Sequence, residues 1–173
     1  SCDWFGVSMG GLLGIRLAGM TGTPIRRLIL SDVGPEVPQF DLDFIAKVMK
    51  LTPEYDRPED AIPILKMSLG TPYSRGPMTD DQWLYLVTTA LKKRADGKYI
   101  RNFDPNLSIM FEREPLGELD LWPLWEKFTG PVLAVRGGLS TLFPARVADD
   151  MQARKSGVAM DLVTIPDCGH VPS

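Results

Sequence analysis

The feature that most constrains this chain is a G-x-S-x-G pentapeptide, "GVSMG", at residues 6 to 10. A stretch of strand character, "DWFGV", leads into it, and a stretch of helical character, "GGLLGIRLAGM", leads out. A strand that turns into a helix over so few residues strains the serine, and side chains at the two glycine positions would collide with neighbouring backbone. The pattern predicts that Ser8 is a nucleophile at a helix N-terminus, where the Met9 backbone N–H points at a developing oxyanion.

A glycine-rich phosphate loop or an ordinary turn could also use such residues. No P-loop lysine follows, however, and the spacing is not that of a dinucleotide fingerprint. A nucleophilic serine needs a base, and the chain contains one histidine, His170, in "PDCGHVPS". This loop follows the last stretch of strand character, "MDLVTI". His170 is therefore predicted to lie at the same carboxyl edge of a sheet as Ser8 and to act as general base.

Alternating strand and helix patterns predict an α/β fold with a doubly wound, mainly parallel sheet. Near-continuous apolar runs are typical of strands that are covered on both faces. The predicted strands are residues 2 to 7, 26 to 33, 131 to 137 and 160 to 166, and the predicted core helices are residues 10 to 20 and 144 to 157. In the last of these, Pro144 is expected at the first helical position, and Asp149 and Asp150 are expected on the solvated face.

A long insertion separates the second and third strands and is interpreted as a helical lid. The chain is thus divided into core (1–35), lid (36–128) and core (129–173). Helices within the insertion are predicted near residues 41–51, 58–69, 79–94 and 120–128, the third with a capping box of Thr79 and Gln82.

The insertion is rich in Met, Trp and Phe. At helical spacing most such residues pack as core, and a minority is expected to line an apolar acyl pocket. The residues concerned are Phe44, Met49, Met67, Met78, Trp83, Met110, Phe111, Trp122 and Trp125. By contrast, Lys92, Lys93 and Arg94 are interpreted as a solvated helix end near its negative dipole.

Together these motifs resemble the α/β-hydrolase fold enzymes, especially lid-bearing serine esterases and C–C bond hydrolases. The resemblance rests on "DWFGVSMGGLLGI", "TPIRRLILSDVGP", "LWPLWEKFTGPVLAVRG" and "PDCGHVPS", and it covers nearly the whole chain. It implies hydrolysis of a carboxylic ester or related acyl bond by Ser8 and His170, without a cofactor or metal. A serine elbow argues against dehalogenase or epoxide hydrolase chemistry.

The acid of the triad departs from the family pattern. The family carries it after the strand "PVLAVRG" in a form like R-G-x-x-S-D, whereas this chain reads "RGGLST", with Thr141 at the acid-loop position. A threonine cannot stabilise the imidazolium that forms when the serine loses its proton. Some members resembling this fold place the acid one strand earlier, where Asp32 stands. Asp32 is therefore either the acid, since adjacent strands lie roughly 4.8 Å apart, or a residue of the turn before Gly34.

The resemblance also implies that further strands, and a loop carrying a second oxyanion donor, precede the elbow. The chain is interpreted as an internal fragment, and loss of one oxyanion donor predicts a rate lower by roughly a hundred- to a thousandfold. Its first strand would then have an unpaired edge, which favours aggregation or a homodimer.

Composition narrows the class of partner. A net charge of −3 argues against nucleic acid, and no apolar run approaches a membrane span of roughly 20 residues. Cys2 and Cys168 are too few for a disulfide scaffold and are expected as reduced thiols, which favours the cytoplasm. A small-molecule ester or acyl compound is the predicted partner. The alternative hypothesis is a hydrolase-fold binding protein with a decayed triad, which Thr141 favours.

Overall fold

The computed structural model describes residues 1–69, 78–111, 119–155, 157–170 and 172. Helices and strands are numbered in chain order. They are β1 (Cys2–Val7), α1 (Met9–Ala18), β2 (Ile25–Ser31), β3 (Glu36–Val37), α2 (Gln39–Lys50), β4 (Glu54–Tyr55), α3 (Ile62–Leu69), α4 (Asp80–Ala90), β5 (Leu91–Lys93), β6 (Tyr99–Arg101), β7 (Leu119–Asp120), α5 (Trp122–Lys127), β8 (Val132–Gly137), α6 (Ala145–Ala153) and β9 (Met160–Ile165), with 3₁₀ turns at Pro58–Ala61 and Pro105–Phe111.

A parallel sheet of the order β1-β2-β8-β9 forms the centre of the described fold. All three of its strand pairings are parallel, because each crossover carries a helix or a longer segment back to the starting edge. The predicted α/β class and its mainly parallel sheet are confirmed, and all four predicted strands are present. Because parallel strands end at one edge, the residues after β1, β2, β8 and β9 meet there.

The core forms where helices cover the central strands. Leu28 and Leu30 of β2 are fully buried, as is Trp125 of α5. The buried residues of α1 are Gly11, Gly14, Ile15 and Ala18, and a Cβ at Gly14 would lie 2.6 Å from the Trp4 ring. Close approach of α1 to β1 therefore depends on glycine at this position.

β1 is an edge strand within the described part of the sheet, as predicted. An apolar face beside it is solvent-exposed, and includes Phe5 on β1 and Met9, Leu13 and Leu17 on α1. None of the helices in the described ranges is long and apolar enough to cross a membrane.

The segment between β2 and β8 is not purely helical. β3 and β7 form an antiparallel pair at its base, and β4, β6 and β5 form a three-stranded antiparallel sheet. The capping box of α4 is present, with Thr79 N donating to Gln82 Oε1 at 2.9 Å. Trp83, Trp122 and Trp125 are buried, as expected for core residues, whereas the side chains of Met67, Met110 and Phe111 lie outside the described part.

The prediction of one helix over residues 79–94 is wrong at its C-terminal end. α4 ends at Ala90, and Lys92 and Lys93 belong to β5, which pairs with β6. The two strands are joined by a turn in which Arg94 N donates to Lys98 O at 2.8 Å and Gly97 has a φ of 90°. An Asp-Gly pair is a strong hairpin signal, and here it outweighs the helical pattern before it.

α6 is shorter than predicted. Pro144 is the residue before the helix rather than its first residue, and the helix ends at Ala153 instead of continuing to Gly157. Asp149 is exposed, and Asp150 accepts a 3.4 Å hydrogen bond from Arg146, one turn earlier. Both aspartates thus lie on the polar side of this helix.

Candidate active site

Ser8 occupies the turn between β1 and α1. Its φ of 50° and ψ of −121° are values that a residue with a side chain rarely adopts. The turn is fixed on both sides, because Ser8 N donates to Ser31 O at 3.2 Å and Ser8 O accepts from Gly11 N at 2.8 Å. Ser8 is half-buried and stands at the first turn of α1, where backbone N–H groups such as that of Met9 lack intrahelical acceptors. This is the strained strand-turn-helix geometry expected from the pentapeptide.

The glycines of this turn differ in importance. A Cβ at Gly6 would lie 2.3 Å from the carbonyl oxygen of Gly10, and a Cβ at Gly11 would lie 2.3 Å from Val33 Cγ1. At Gly10, in contrast, a Cβ would meet nothing within 4 Å. The expectation that both glycines of the pentapeptide are sterically required is therefore wrong for Gly10. The second required glycine is Gly11, because α1 packs closely against the chain that follows β2.

Asp32 follows β2 directly and has the other positive φ among the described non-glycine residues, 52°. Its backbone N donates to Val135 O at 2.8 Å, and its side chain is fully buried. The carboxylate accepts hydrogen bonds from Gly137 N, at 2.8 Å to Oδ1, and from the Ser140 hydroxyl at Oδ2. The loop after β8 thus solvates this buried carboxylate in place of water.

His170 contacts Asp32 directly, with 2.9 Å between Nδ1 and Oδ2. The imidazole is half-buried, with 17% of its side chain exposed. An ionised carboxylate only accepts hydrogen bonds, so this contact requires the imidazole proton on Nδ1 and leaves the Nε2 lone pair available. The arrangement suits an imidazole that accepts a proton from a neighbouring hydroxyl.

The histidine loop packs against the loop after β8. Leu139 N donates to Cys168 O at 2.8 Å, and Gly138 N donates to Ile165 O at 2.7 Å. A Cβ at Gly137 would lie only 1.9 Å from the carbonyl oxygen of Gly169. The two loops therefore approach each other as closely as backbone allows, and this approach carries the histidine toward β2.

Thr141 has a different partner. Its hydroxyl donates to Asp41 Oδ1 at 2.7 Å, and Asp41 is a buried residue in the first turn of α2. The residue at the acid-loop position thus connects this loop to the segment between β2 and β8, while Asp32 contacts the histidine.

The predicted residues come together at one edge of the sheet. Asp32 and His170 are in contact, and Ser8 is joined to the same edge through its backbone bond to Ser31, the residue before Asp32. Sequence reasoning missed Ser140, although it stands beside Thr141 in the quoted motif. It also missed Asp41, for which the sequence carries no local signal. In the described residues, no group of His, Cys, Asp and Glu is arranged to hold a metal ion.

Comparison with known proteins gives consistent results. The chain is 35% identical over 179 aligned residues to a 3-hydroxybutyrate-oligomer hydrolase from Cupriavidus necator, covering 99% of this chain and 59% of that relative. It therefore spans about three fifths of the length of the curated relative it matches.

Two solved structures have the same fold. An alpha/beta hydrolase from Novosphingobium aromaticivorans is 30% identical with a TM-score of 0.82, covering 97% of this chain and 58% of the other. A Rickettsia typhi protein described as a candidate hydrolase is 28% identical with a TM-score of 0.83, covering 98% and 56% of the two chains. A model of the alpha/beta hydrolase family matches residues 2–173. By this match and these likenesses, the chain belongs to the alpha/beta hydrolase family.

Proposed function

We propose that this chain supplies the nucleophile, base and acid of a serine hydrolase that cleaves a carboxylic ester. The observation that carries the proposal is the 2.9 Å contact between His170 Nδ1 and the buried carboxylate of Asp32, at the sheet edge where the strained Ser8 turn lies. A hydroxyl, an imidazole and a carboxylate at the same edge of the sheet are the groups that acyl transfer requires, and they support the proposal.

In the proposed reaction, Ser8 Oγ attacks the ester carbonyl while His170 Nε2 takes its proton. Asp32 stabilises the imidazolium, and the Met9 N–H donates to the tetrahedral oxyanion. Collapse breaks the bond to the alcohol, which leaves with the proton from His170. A water molecule, activated by the same imidazole, then releases the acid and restores Ser8.

Asp32 as the acid is supported by its burial and by its partners. Three hydrogen-bonding groups surround this carboxylate, as expected for an acid that holds and orients an imidazole. Thr141 binds Asp41 instead. Thr141 at the acid-loop position favours the alternative of a binding protein with a decayed triad, whereas the contact between Asp32 and His170 supports the hydrolase.

The substrate is proposed to be an ester whose acyl group is short and largely apolar. The Cupriavidus necator relative is named for oligomers of 3-hydroxybutyrate, which makes such oligomers the first substrates to test. We further propose that residues 36–128 cover the site as a lid. The Thr141–Asp41 hydrogen bond supports this, because it joins α2 to the loop that holds Asp32.

Fluorophosphonate labelling of the complete gene product tests the nucleophile. We expect an adduct that peptide mapping assigns to Ser8 and that is lost in Ser8→Ala. The same preparation should release 3-hydroxybutyrate from its dimer and trimer. A folded protein without a Ser8 adduct would refute the proposed chemistry, whereas an adduct without oligomer cleavage would refute the substrate alone.

A further inference from the structure

A cavity lies inside the segment between β2 and β8. Its volume is about 920 Å³, within the range of sites that hold small ligands. It lies among α2, α3, α4 and the sheet of β4, β5 and β6. Its described lining contains none of Ser8, Asp32 and His170, so it is separate from the proposed catalytic centre.

The wall of this cavity is largely apolar and partly open to solvent. Phe44, Leu51 and Ile64 line it, yet 38%, 57% and 47% of their respective surfaces are exposed. Val87 lies at its buried side. Exposed apolar side chains that converge on a concavity, rather than scatter over a surface, are typical of a site for an apolar ligand.

The charged groups of the cavity are all of one sign. Lys47 and Arg101 line it, and no Asp or Glu occurs among its described lining residues. Tyr55 lines it as well, and burial raises the pKa of its phenol, so the phenol remains a hydrogen-bond donor at neutral pH. Two cations and a phenol in an apolar wall suit a single carboxylate.

Arg101 is held in place for such a contact. Its Nη1 donates to Val48 O at 2.7 Å and to Leu51 O at 3.2 Å, and its guanidinium stacks over the Phe103 ring at 4.5 Å. Within the described part of the chain, both side-chain hydrogen bonds of Arg101 are donated by Nη1. A guanidinium has five N–H donors in total. Nε and Nη2 therefore retain donors for an anion.

We propose that this cavity binds an amphipathic monocarboxylate, with the apolar chain against Phe44, Leu51 and Ile64 and the carboxylate at Arg101 and Lys47. The site goes beyond the proposed hydrolysis and does not depend on it. It shares one element with the catalytic edge, because α2 carries Asp41 near its N-terminus and Phe44 one turn later. A bound acid therefore contacts the same helix that holds the Thr141 loop.

Calorimetry with octanoate and octanol on the Ser8→Ala form of the complete gene product tests the carboxylate preference. We expect octanoate to bind at least tenfold more tightly, which is about 1.4 kcal/mol, since hydrogen bonds to a charged carboxylate are stronger than those to a neutral hydroxyl. Added salt should reduce that preference. Arg101→Met should reduce octanoate affinity to that of octanol, and Lys47→Met should reduce it severalfold.

Lys47→Met serves as the second variant because Arg101 also supports the end of α2. Methyl NMR locates the ligand, with shifts expected at Leu51, Ile64 and Val87. Equal affinities for octanoate and octanol would overturn the proposal. So would unchanged octanoate binding in both variants, or shifts confined to methyl groups around position 8. Because the Ser8→Ala form is used throughout, these outcomes are independent of whether the protein hydrolyses esters.

Discussion

Replacement of Asp32 by asparagine changes one atom of the proposed acid and makes the sharpest test of its role. If the new amide oxygen accepts from Gly137 N, the amide NH₂ faces His170 Nδ1 and the Ser140 hydroxyl. The amide would then donate to Nδ1, which forces the imidazole proton onto Nε2, where it blocks proton transfer from Ser8. If the amide flips, its NH₂ faces the Gly137 N–H, and two donors oppose each other across 2.8 Å.

The flipped orientation would keep the imidazole proton on Nδ1, but the opposed donors at Gly137 disfavour it, so the first orientation dominates. Asp32→Asn should therefore lower kcat by about 10⁴-fold, as a wrong tautomer does in a serine triad. At 1.36 kcal/mol per decade this is about 5 kcal/mol of transition-state stabilisation. The assay is single-turnover ester hydrolysis by the complete gene product, with thermal unfolding to confirm the fold. A folded Asp32→Asn enzyme within tenfold of the wild-type rate would refute the reasoning.

Four further variants test other parts of the structure. Thr141→Ala should leave ester turnover within a fewfold of wild type. Its free energy of unfolding should fall by about 1–3 kcal/mol, because the buried Asp41 carboxylate loses its hydrogen-bond partner. A large fall in kcat would contradict this prediction. Gly6→Ala should abolish fluorophosphonate labelling of Ser8, since the new Cβ would lie 2.3 Å from a backbone oxygen, whereas Gly10→Ala should still be labelled. Equal labelling of the two variants would show that the turn is not sterically fixed. Burial lowers the pKa of Lys155 from 10.5 to about 8, so between those values the unfolded chain binds more protons and stability rises with pH. The free energy of unfolding of the wild type, measured with denaturant, should therefore rise relative to that of Lys155→Met above about pH 8, by up to about 3 kcal/mol. If the free energies of the two proteins ran parallel with pH, this effect would be excluded.

The sheet edge and the three side chains proposed as catalytic were predictable because each follows from local pattern. Ser8 and Asp32 come directly after apolar runs that form parallel strands, His170 lies in the loop after another such run, and parallel strands end at a common edge. The sequence also carried the signal for the hairpin after α4, in the Asp-Gly pair before Lys98, and in the fold this signal outweighs the helical periodicity before it. Local patterns of this kind depend only on neighbouring residues.

Contacts between distant residues could not be predicted in the same way. The partner of Thr141 is Asp41, 100 positions away, and nothing near either residue indicates the other. The pentapeptide likewise suggested that Gly10 was sterically required, whereas Gly11 is the glycine that meets Val33. Which glycine is needed depends on how closely α1 approaches the chain after β2, and a one-dimensional pattern does not contain that distance.

The position of Asp32, the proposed acid, directly after β2 has a structural consequence for the histidine loop. In the order β1-β2-β8-β9, the loop that follows β9 must pass over the end of β8 to reach Asp32. It does so where β8 ends in Gly137 and Gly138, and any Cβ at Gly137 would lie 1.9 Å from the Gly169 carbonyl. Backbone without side chains at this crossing lets Gly137 donate its N–H to Asp32 while the histidine loop packs directly above. The glycines at the end of β8 and the position of Asp32 after β2 therefore depend on each other, because a side chain at Gly137 would displace the loop that brings His170 to the Asp32 carboxylate.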